Sequence, residues 1–329
     1  MSLGIGIIGA GIMGADHART LARHVAGAHL AVLSDIDQAR AAAVGAETGA
    51  RRVVSDPRDV IADAGVDAVL VASPDATHAD LVLACLAAGK PVLCEKPLAA
   101  SAAECLKIVA AEAALGRTLV QVGFMRRFDP AYVAMKATLD GGTLGAALLF
   151  HCVHRNATVP PWFEAMMSIT NAAVHEFDIA RWLLGTEFVR GQVHRSASAA
   201  GRKFRDPMVL VLEAASGQLV DIEVFMSATY GYEVRGELVC EQGTVALVPP
   251  VLTELRQGGG QSFPYAHDWR PRFADAYRLE LQSWVRGIAS GHYEGASAWD
   301  GYAATAIAEA CVHALDSGQP VDIRLAAHP

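Results

Sequence analysis

Residues Leu3–Gly14 read LGIGIIGAGIMG: an Ile-rich apolar run of six residues that stops on three glycines, Gly9, Gly11 and Gly14. The run is the right length and composition for a buried parallel strand. The segment from Ala15 to Val25 is predicted to be a helix, so the glycines sit between a strand and a helix. That context gives the G-x-G-x-x-G spacing its physical meaning. Gly9 permits a tight turn, Gly11 lets the backbone approach a pyrophosphate, and Gly14 allows close helix–strand packing. Ile12 and Met13 fall at the helix start, where unbonded N–H groups and the helix dipole favour a phosphate. A structural glycine turn with no ligand is the competing reading.

A second apolar run, His29 to Leu33, ends on Ser34-Asp35. Asp35 stands about 20 residues beyond the last glycine, where a carboxylate can bond the ribose hydroxyls of a dinucleotide. Its charge would repel a 2′-phosphate, which favours NAD over NADP. The alternative is a helix N-cap ahead of Asp37-Gln38-Ala39-Arg40. Arg40 is expected to lie too far along the chain to reverse the preference.

The strand–helix alternation continues outward. Asp67 to Ala72, Pro91 to Cys94 and Leu119 to Val122 are predicted strands. Ser73 to His78 is a loop entering a helix. Ser101 to Leu115 is an amphipathic helix, with Ser101 as N-cap and Glu104 completing a capping box. This alternation predicts a doubly wound parallel sheet, whose ligands bind beyond the strand C-termini. The loops at Ser73, Glu95 and Gly123 share that edge. Beyond Gly123 the pattern turns to longer strand-like runs: Ala147–Val153, Met208–Ala214, Gln218–Ser227, Val234–Val239 and Val245–Val248. These predict an α+β second domain built on a large, mostly antiparallel open sheet. The expected division is 1–123 and 124–329. Gln257 to Ser262 is read as a loop, and Trp299 to Ser317 as a final helix.

A chain of 329 residues has room for two cores. With 52% hydrophobic and 19% charged residues it has a soluble globular profile. A net charge of −8 without a basic patch argues against nucleic acid. No apolar run is long enough for a membrane span, and the apolar N-terminus lacks the basic flank of a signal peptide. The six cysteines are scattered without metal-type spacing. They read as reduced core thiols in a cytoplasmic protein with no metal site.

In the second part, Asn171, His175 and Asp178 are spaced four and three apart in a segment that continues as IARWLL. On a continuous helix that spacing puts all three on one stripe. A solvated face or a satisfied core histidine is the competing reading, and Arg126 alone could be a surface charge.

The stretches GAGIMG, CEKPL, VQVGFMRRFDPAY, HCVHRN, AVHEFD, YGYE, DWRPRF and AWDGY run from end to end of the chain. Together they resemble the inositol dehydrogenase branch of the glucose–fructose oxidoreductase/inositol dehydrogenase/rhizopine-catabolism (Gfo/Idh/MocA) family. The resemblance implies an NAD-dependent oxidation of a secondary alcohol on a cyclic polyol, myo-inositol to 2-keto-inositol being the specific case. Lys96 would contact both the nicotinamide side and the substrate hydroxyl. His175 would accept the hydroxyl proton, for which imidazole is suited near neutrality. Asp178 would hold a substrate hydroxyl, and Arg126, His154, Asn156 and Tyr232 would line the polyol pocket. Gly9, Gly11, Ile12, Met13, Gly14, Asp35, Ser73, His78, Glu95 and Lys96 would serve the cofactor. A homotetramer formed through the open sheet is also implied.

One position departs from the pattern. The family places Asp four residues before the histidine, as the third member of a Lys–Asp–His triad; here it is Asn171. An amide keeps the hydrogen-bonding shape and loses the charge that supports a neighbouring cation. A pH–rate profile displaced to lower pH, a different polyol or sugar substrate, and impaired catalysis are the three expectations. A non-catalytic NAD-binding regulator is the reading from another class, and retention of both Lys96 and His175 argues against it.

Overall fold

The computed structural model describes residues 2–196, 203–204, 206–248 and 253–328. They fall into two compact units, neither continuous in sequence. The first comprises Met1–Phe128, Asp275–Thr305 and Ala326–Pro329, the second Asp129–Ala274 and Ala306–Leu325. A single cut after residue 123 is the sequence expectation; the structure instead returns later chain segments to the first unit.

In the first unit, β1 (Leu3–Ile8), α1 (Ile12–His24), β2 (Ala28–Ser34), α2 (Gln38–Thr48), β3 (Arg52–Val54), α3 (Pro57–Ala62), β4 (Ala68–Val71), α4 (His78–Ala87), β5 (Val92–Cys94), α5 (Ala102–Leu115) and β6 (Val120–Val122) alternate along the chain. The six strands are parallel in the order β3-β2-β1-β4-β5-β6. Strand order reverses direction beside β1, the place where open α/β sheets bind ligands. The helices start where the sequence supplies caps. Asp37 accepts the Arg40 N–H, Asp56 the Arg58 N–H, and Ser101 the Glu104 N–H. The core of this unit packs Ile5, Ile7, Leu30, Leu33, Leu70 and Leu93 against Leu281, Trp284 and Val285. Burying each such side chain contributes about 1.5–3 kcal/mol.

The second unit holds α6 (Pro130–Asp140), β7 (Ala147–Arg155), α7 (Val174–Leu184), β8 (Phe188–Arg195), β9 (Met208–Ala214), β10 (Leu219–Phe225), β11 (Glu233–Cys240), β12 (Gly243–Ala246), β13 (Leu255–Gln257) and β14 (Gly260–Ser262). α8 (Trp269–Ser290) begins in this unit and α9 (Ala298–Ser317) ends in it, before β15 (Val321–Asp322). The main sheet runs β12-β11-β7-β10-β9-β8-β15. Only the β7–β10 pair is parallel among those described. Side chains alternate between faces as strand geometry requires. Phe150, Cys152 and His154 of β7 and Val220, Ile222 and Val224 of β10 are buried. Their neighbours Leu149, His151, Val153, Asp221 and Glu223 are half-buried, and Leu219 is exposed.

Two local readings are corrected. The Gly-rich segment from Gln257 is not a plain loop: Leu255–Gln257 and Gly260–Ser262 pair as an antiparallel hairpin, turned by Gly258 and Gly259 at positive φ. The segment before α7 is not one continuous α-helix either. Ser168–Ala172 forms a π-helical turn, with the Ala173 N–H bonded to the Ser168 carbonyl at 3.0 Å, and α7 starts only at Val174. Asn171 therefore leaves the α-helical stripe that spacing assigned to it, while His175 and Asp178 keep theirs. Among the described residues no helix is long and apolar enough to cross a membrane.

Candidate active site

In the first unit the glycine loop has the form that its sequence predicts. Gly9 has φ +98°, and a Cβ there would meet the Ala72 carbonyl oxygen at 2.5 Å. A Cβ on Gly14 would fall 1.9 Å from the Gly9 carbonyl oxygen. A Cβ on Gly11 would meet nothing within 4 Å. Two glycines are thus required by the protein's own packing, and the third faces open space. Gly11 is the N-cap of α1 and supplies no side-chain cap, and the first turn carries no acid. Ile12 is 59% exposed and Met13 half-buried beside it. Bare N–H groups at a helix start, with space over the backbone, fit a pyrophosphate. The residues present therefore fit a dinucleotide.

Asp35 closes this cradle. Its Oδ2 accepts the Ala10 N–H at 2.7 Å and its Oδ1 the Asp37 N–H at 2.8 Å. The N-cap of α2 is Asp37, so Asp35 is not a simple cap. Arg40 lies closer to Asp35 than its distance along the chain suggests, while the preference for NAD stands. Its Nη2 lies 2.7 Å from Asp35 Oδ1, because an arginine in the first turn of α2 points back to the strand end. Burial works to raise the Asp35 pKa, but the Arg40, Ala10 and Asp37 hydrogen bonds outweigh it and hold the group below its ordinary value.

At the ends of β4 and β5 the loops are tied together. His78 is buried, with Nδ1 2.8 Å from the Pro97 carbonyl and Nε2 2.9 Å from the Ser73 carbonyl. Ser73 Oγ lies 2.6 Å from Thr77 Oγ1. Glu95 is buried as well: Oε1 bonds His17 Nε2 at 2.6 Å, and Oε2 accepts the Lys96 N–H at 3.2 Å. His78 thus ties the Ser73 loop to Pro97, and Glu95 ties the Lys96 backbone to α1, while the Lys96 residue is half-buried. Arg126 lies in a 3₁₀ turn after β6 and is 1% exposed, which excludes the surface-charge reading.

In the second unit β7 and α7 bring the polar residues together. The His154 ring centroid lies 6.3 Å from that of His175 and 6.0 Å from that of Tyr232. His175 and Asp178 are 8% and 1% exposed on a helix that also buries the charged Glu176 and Arg181 among its apolar residues. Tyr232 is held by its N–H to the Ala266 carbonyl at 2.7 Å and by edge contact with Phe273. Asn156 follows β7 in a tight backbone exchange, its N–H on Phe225 and its carbonyl on Ala228, with Nδ2 3.3 Å from Met226 Sδ. Two contributors lie outside the sequence reading: His17 and Glu176. Glu176 is 1% exposed and its Oε2 lies 3.0 Å from His154 Nδ1. A second acid directly after His175, on the helix that also carries Asp178, is the available signal.

Residues 3–124 match the family described as "Oxidoreductase family, NAD-binding Rossmann fold", and residues 136–323 match "Oxidoreductase family, C-terminal alpha/beta domain". The chain belongs to the Gfo/Idh/MocA family. Among curated members, inositol 2-dehydrogenase 1 of Saccharopolyspora erythraea is 57% identical over 332 residues, covering 100% of this chain and 98% of that protein. Among solved structures of Gfo/Idh/MocA relatives, myo-inositol dehydrogenase from Lactobacillus casei, in complex with NAD(H) and myo-inositol, superposes with a TM-score of 0.94 at 33% identity. It covers 100% of this chain and 99% of its own. Scyllo-inositol dehydrogenase from the same organism, with NAD(H) and scyllo-inositol, gives a TM-score of 0.90 at 25% identity, covering 98% and 99%.

Proposed function

We propose that this chain is an NAD-dependent inositol 2-dehydrogenase that oxidises myo-inositol to 2-keto-inositol (scyllo-inosose). The observation that carries the reading is the end-to-end identity of 57% to an inositol 2-dehydrogenase. A glycine cradle that accepts a dinucleotide and a buried His154–His175–Tyr232 cluster support it. When bound, the nicotinamide supplies the hydride acceptor. The residues supply the rest. The Lys96 ammonium donates a hydrogen bond to the oxygen of the hydroxyl being oxidised. A ring nitrogen of His175 takes that hydroxyl's proton as the C–H bonding pair departs and the carbonyl forms. Asp178, Asn156, His154, Arg126 and Tyr232 hold the remaining hydroxyls, since a polyol presents a donor and acceptor on each carbon and unpaired partners are costly. Asn171 keeps a hydrogen-bonding amide in the triad position.

A second reading is the same hydride transfer on another inositol isomer, favoured by the likeness to a scyllo-inositol dehydrogenase. The assembly we propose is a homotetramer. The outer face of the second unit's sheet supports it, since Leu149, Val153 and Leu219 stand there incompletely covered. A cytoplasmic location accords with six buried cysteines.

The test is NADH formation across a panel of inositol isomers and aldoses with NAD, wild type beside Lys96→Ala. Turnover on myo-inositol that vanishes in the variant is the expected result. Turnover confined to another isomer would replace the substrate, and silence across the panel with NAD binding intact would overturn the enzymatic reading.

A further inference from the structure

The inner face of α1 carries Gly14, Ala15, His17, Ala18 and Leu21, all buried against the sheet. A histidine there, 1% exposed, needs a polar partner. Its partner is Glu95, 5% exposed, at 2.6 Å. The Glu95 backbone is fixed independently, with its N–H on the Val71 carbonyl at 2.8 Å. Its carboxyl group is accommodated by Gly123, where a Cβ would lie 3.2 Å from Glu95 Cδ and Oε2. Its second oxygen accepts the N–H of Lys96. The Tyr277 ring meets the His17 ring in a T-shaped contact, with centroids 5.6 Å apart. Burial works to raise the Glu95 pKa, but the His17 bond and the Lys96 charge outweigh it and keep the group below its ordinary value.

From this geometry we infer that His17 is a positioning residue for Lys96, acting through Glu95. α1 is the helix whose first turn forms the anion cradle, and His17 lies one turn beyond Gly14. The segment Glu95-Lys96-Pro97 is clamped to that helix by one buried hydrogen bond, and the Lys96 backbone hangs from the same carboxylate. Phosphate site and catalytic amine are thereby set on a single rigid frame inside the first unit. A buried carboxylate deprived of its partner is destabilising enough to move, and Glu95 cannot move without carrying Lys96. The inference rests on the proposed role of Lys96 in turnover.

Three variants test it: His17→Leu, His17→Gln and Glu95→Gln. Amide hydrogen exchange of residues 94–98 is followed by mass spectrometry on the chain without cofactor, NADH affinity by fluorescence, and kcat with NAD and myo-inositol. For His17→Leu and Glu95→Gln, exchange at 94–98 accelerates and kcat falls about 30- to 100-fold while NADH affinity moves less than about threefold, the scale of a small misplacement of a reacting group. His17→Gln, whose amide still donates to Glu95, lies between them and wild type. Parallel losses of kcat and NADH affinity would mean a merely structural pair and overturn the inference, as would wild-type exchange with kcat intact. If His17→Leu does not fold, Glu95→Gln decides alone on the same readouts. Wild-type silence on myo-inositol would defeat the functional reading only, since exchange and NADH binding still judge the clamp.

Discussion

The guanidinium of Arg40 closes on the carboxylate of Asp35, Nη2 to Oδ1 at 2.7 Å and Nε to Oδ2 at 3.3 Å. The carboxylate proposed to repel a 2′-phosphate is thus partly neutralised by a neighbouring cation. Arg40 is about half exposed, so solvent weakens the pair but does not remove it. Removing the cation leaves Asp35 uncompensated. Arg40→Ala is expected to lower the NADP-to-NAD ratio of kcat/KM about tenfold, ~1.4 kcal/mol. Asp35→Ser is expected to raise it while weakening both cofactors, because the Ala10 and Asp37 N–H groups lose their acceptor. Steady-state kinetics with both cofactors reads this, and ratios unmoved in both variants would show that the pair is not the selector.

The glycines separate packing from binding. Gly11 has an extended backbone (φ −65°, ψ −164°) and open space where a Cβ would go. Gly11→Ala should therefore leave the melting temperature near wild type and cut NAD affinity at least about tenfold, by standing where the pyrophosphate approaches. Gly14→Ala has no room against the Gly9 carbonyl and should lose stability as well. Thermal melts beside NADH titrations distinguish them; equal stability of the two variants would contradict the packing argument.

Glu176 fixes the ring of His154 through Nδ1. Glu176→Gln retains the shape of the contact and loses the charge. A hydrogen bond to a charged group is worth about 1.5–3 kcal/mol, so kcat/KM for inositol should fall by one to two orders of magnitude. NADH affinity should not follow, because the contact lies wholly within the second unit. Loss of NADH affinity in step with kcat/KM would argue for general unfolding instead.

Acid should reveal Glu95. Its carboxyl pKa is held below the ordinary value of 4.5 in the fold. A depressed folded value contributes stability that is complete above the unfolded pKa and is lost as pH falls through the folded one. The stability gap between wild type and Glu95→Gln is thus expected to be widest at neutral pH and to shrink below pH of about 4.5. A gap independent of pH would mean that the carboxylate charge contributes nothing to folding.

Asn171→Asp restores the charge that the family pattern carries. A carboxylate near a proton acceptor favours the protonated form, so the acidic limb of the pH–rate profile should move to higher pH by about one unit. A limb that stays in place would detach residue 171 from the titrating groups.

Much of the first unit was legible because its signals are local. The strand, the three glycines and the carboxylate at Asp35 lie within one short stretch, and each has its own steric or electrostatic cause. The Ser101 cap was legible for the same reason. The contact of Arg40 with Asp35 is not legible, because helix geometry rather than distance along the chain decides it: the first turn of α2 points Arg40 back to the strand end. Asn171 was misplaced because regular α spacing was assumed through a π turn, which spacing alone does not announce. The Gln257–Ser262 hairpin was hidden by its run of glycines, which reads as a loop when no apolar alternation marks the strands. The whole of α8, Trp269–Ser290, is absent from the sequence reading. Pro271 and the non-helical Phe273 (φ −115°, ψ 17°) interrupt its pattern. His17 and Glu95 could not be paired from sequence, since 78 residues separate them and only the sheet brings α1 beside β5.

Trp284 is fully buried with Leu281 and Val285 in the core built around β1, β2 and β4. A ribosome making this chain releases those strands long before it reaches residue 281. The core of the nascent dinucleotide-binding unit therefore lacks Leu281, Trp284 and Val285 until most of the second unit has emerged. Completion of the first-made domain becomes a late event in synthesis, and a chain truncated after residue 123 would expose the apolar residues that Leu281, Trp284 and Val285 pack against.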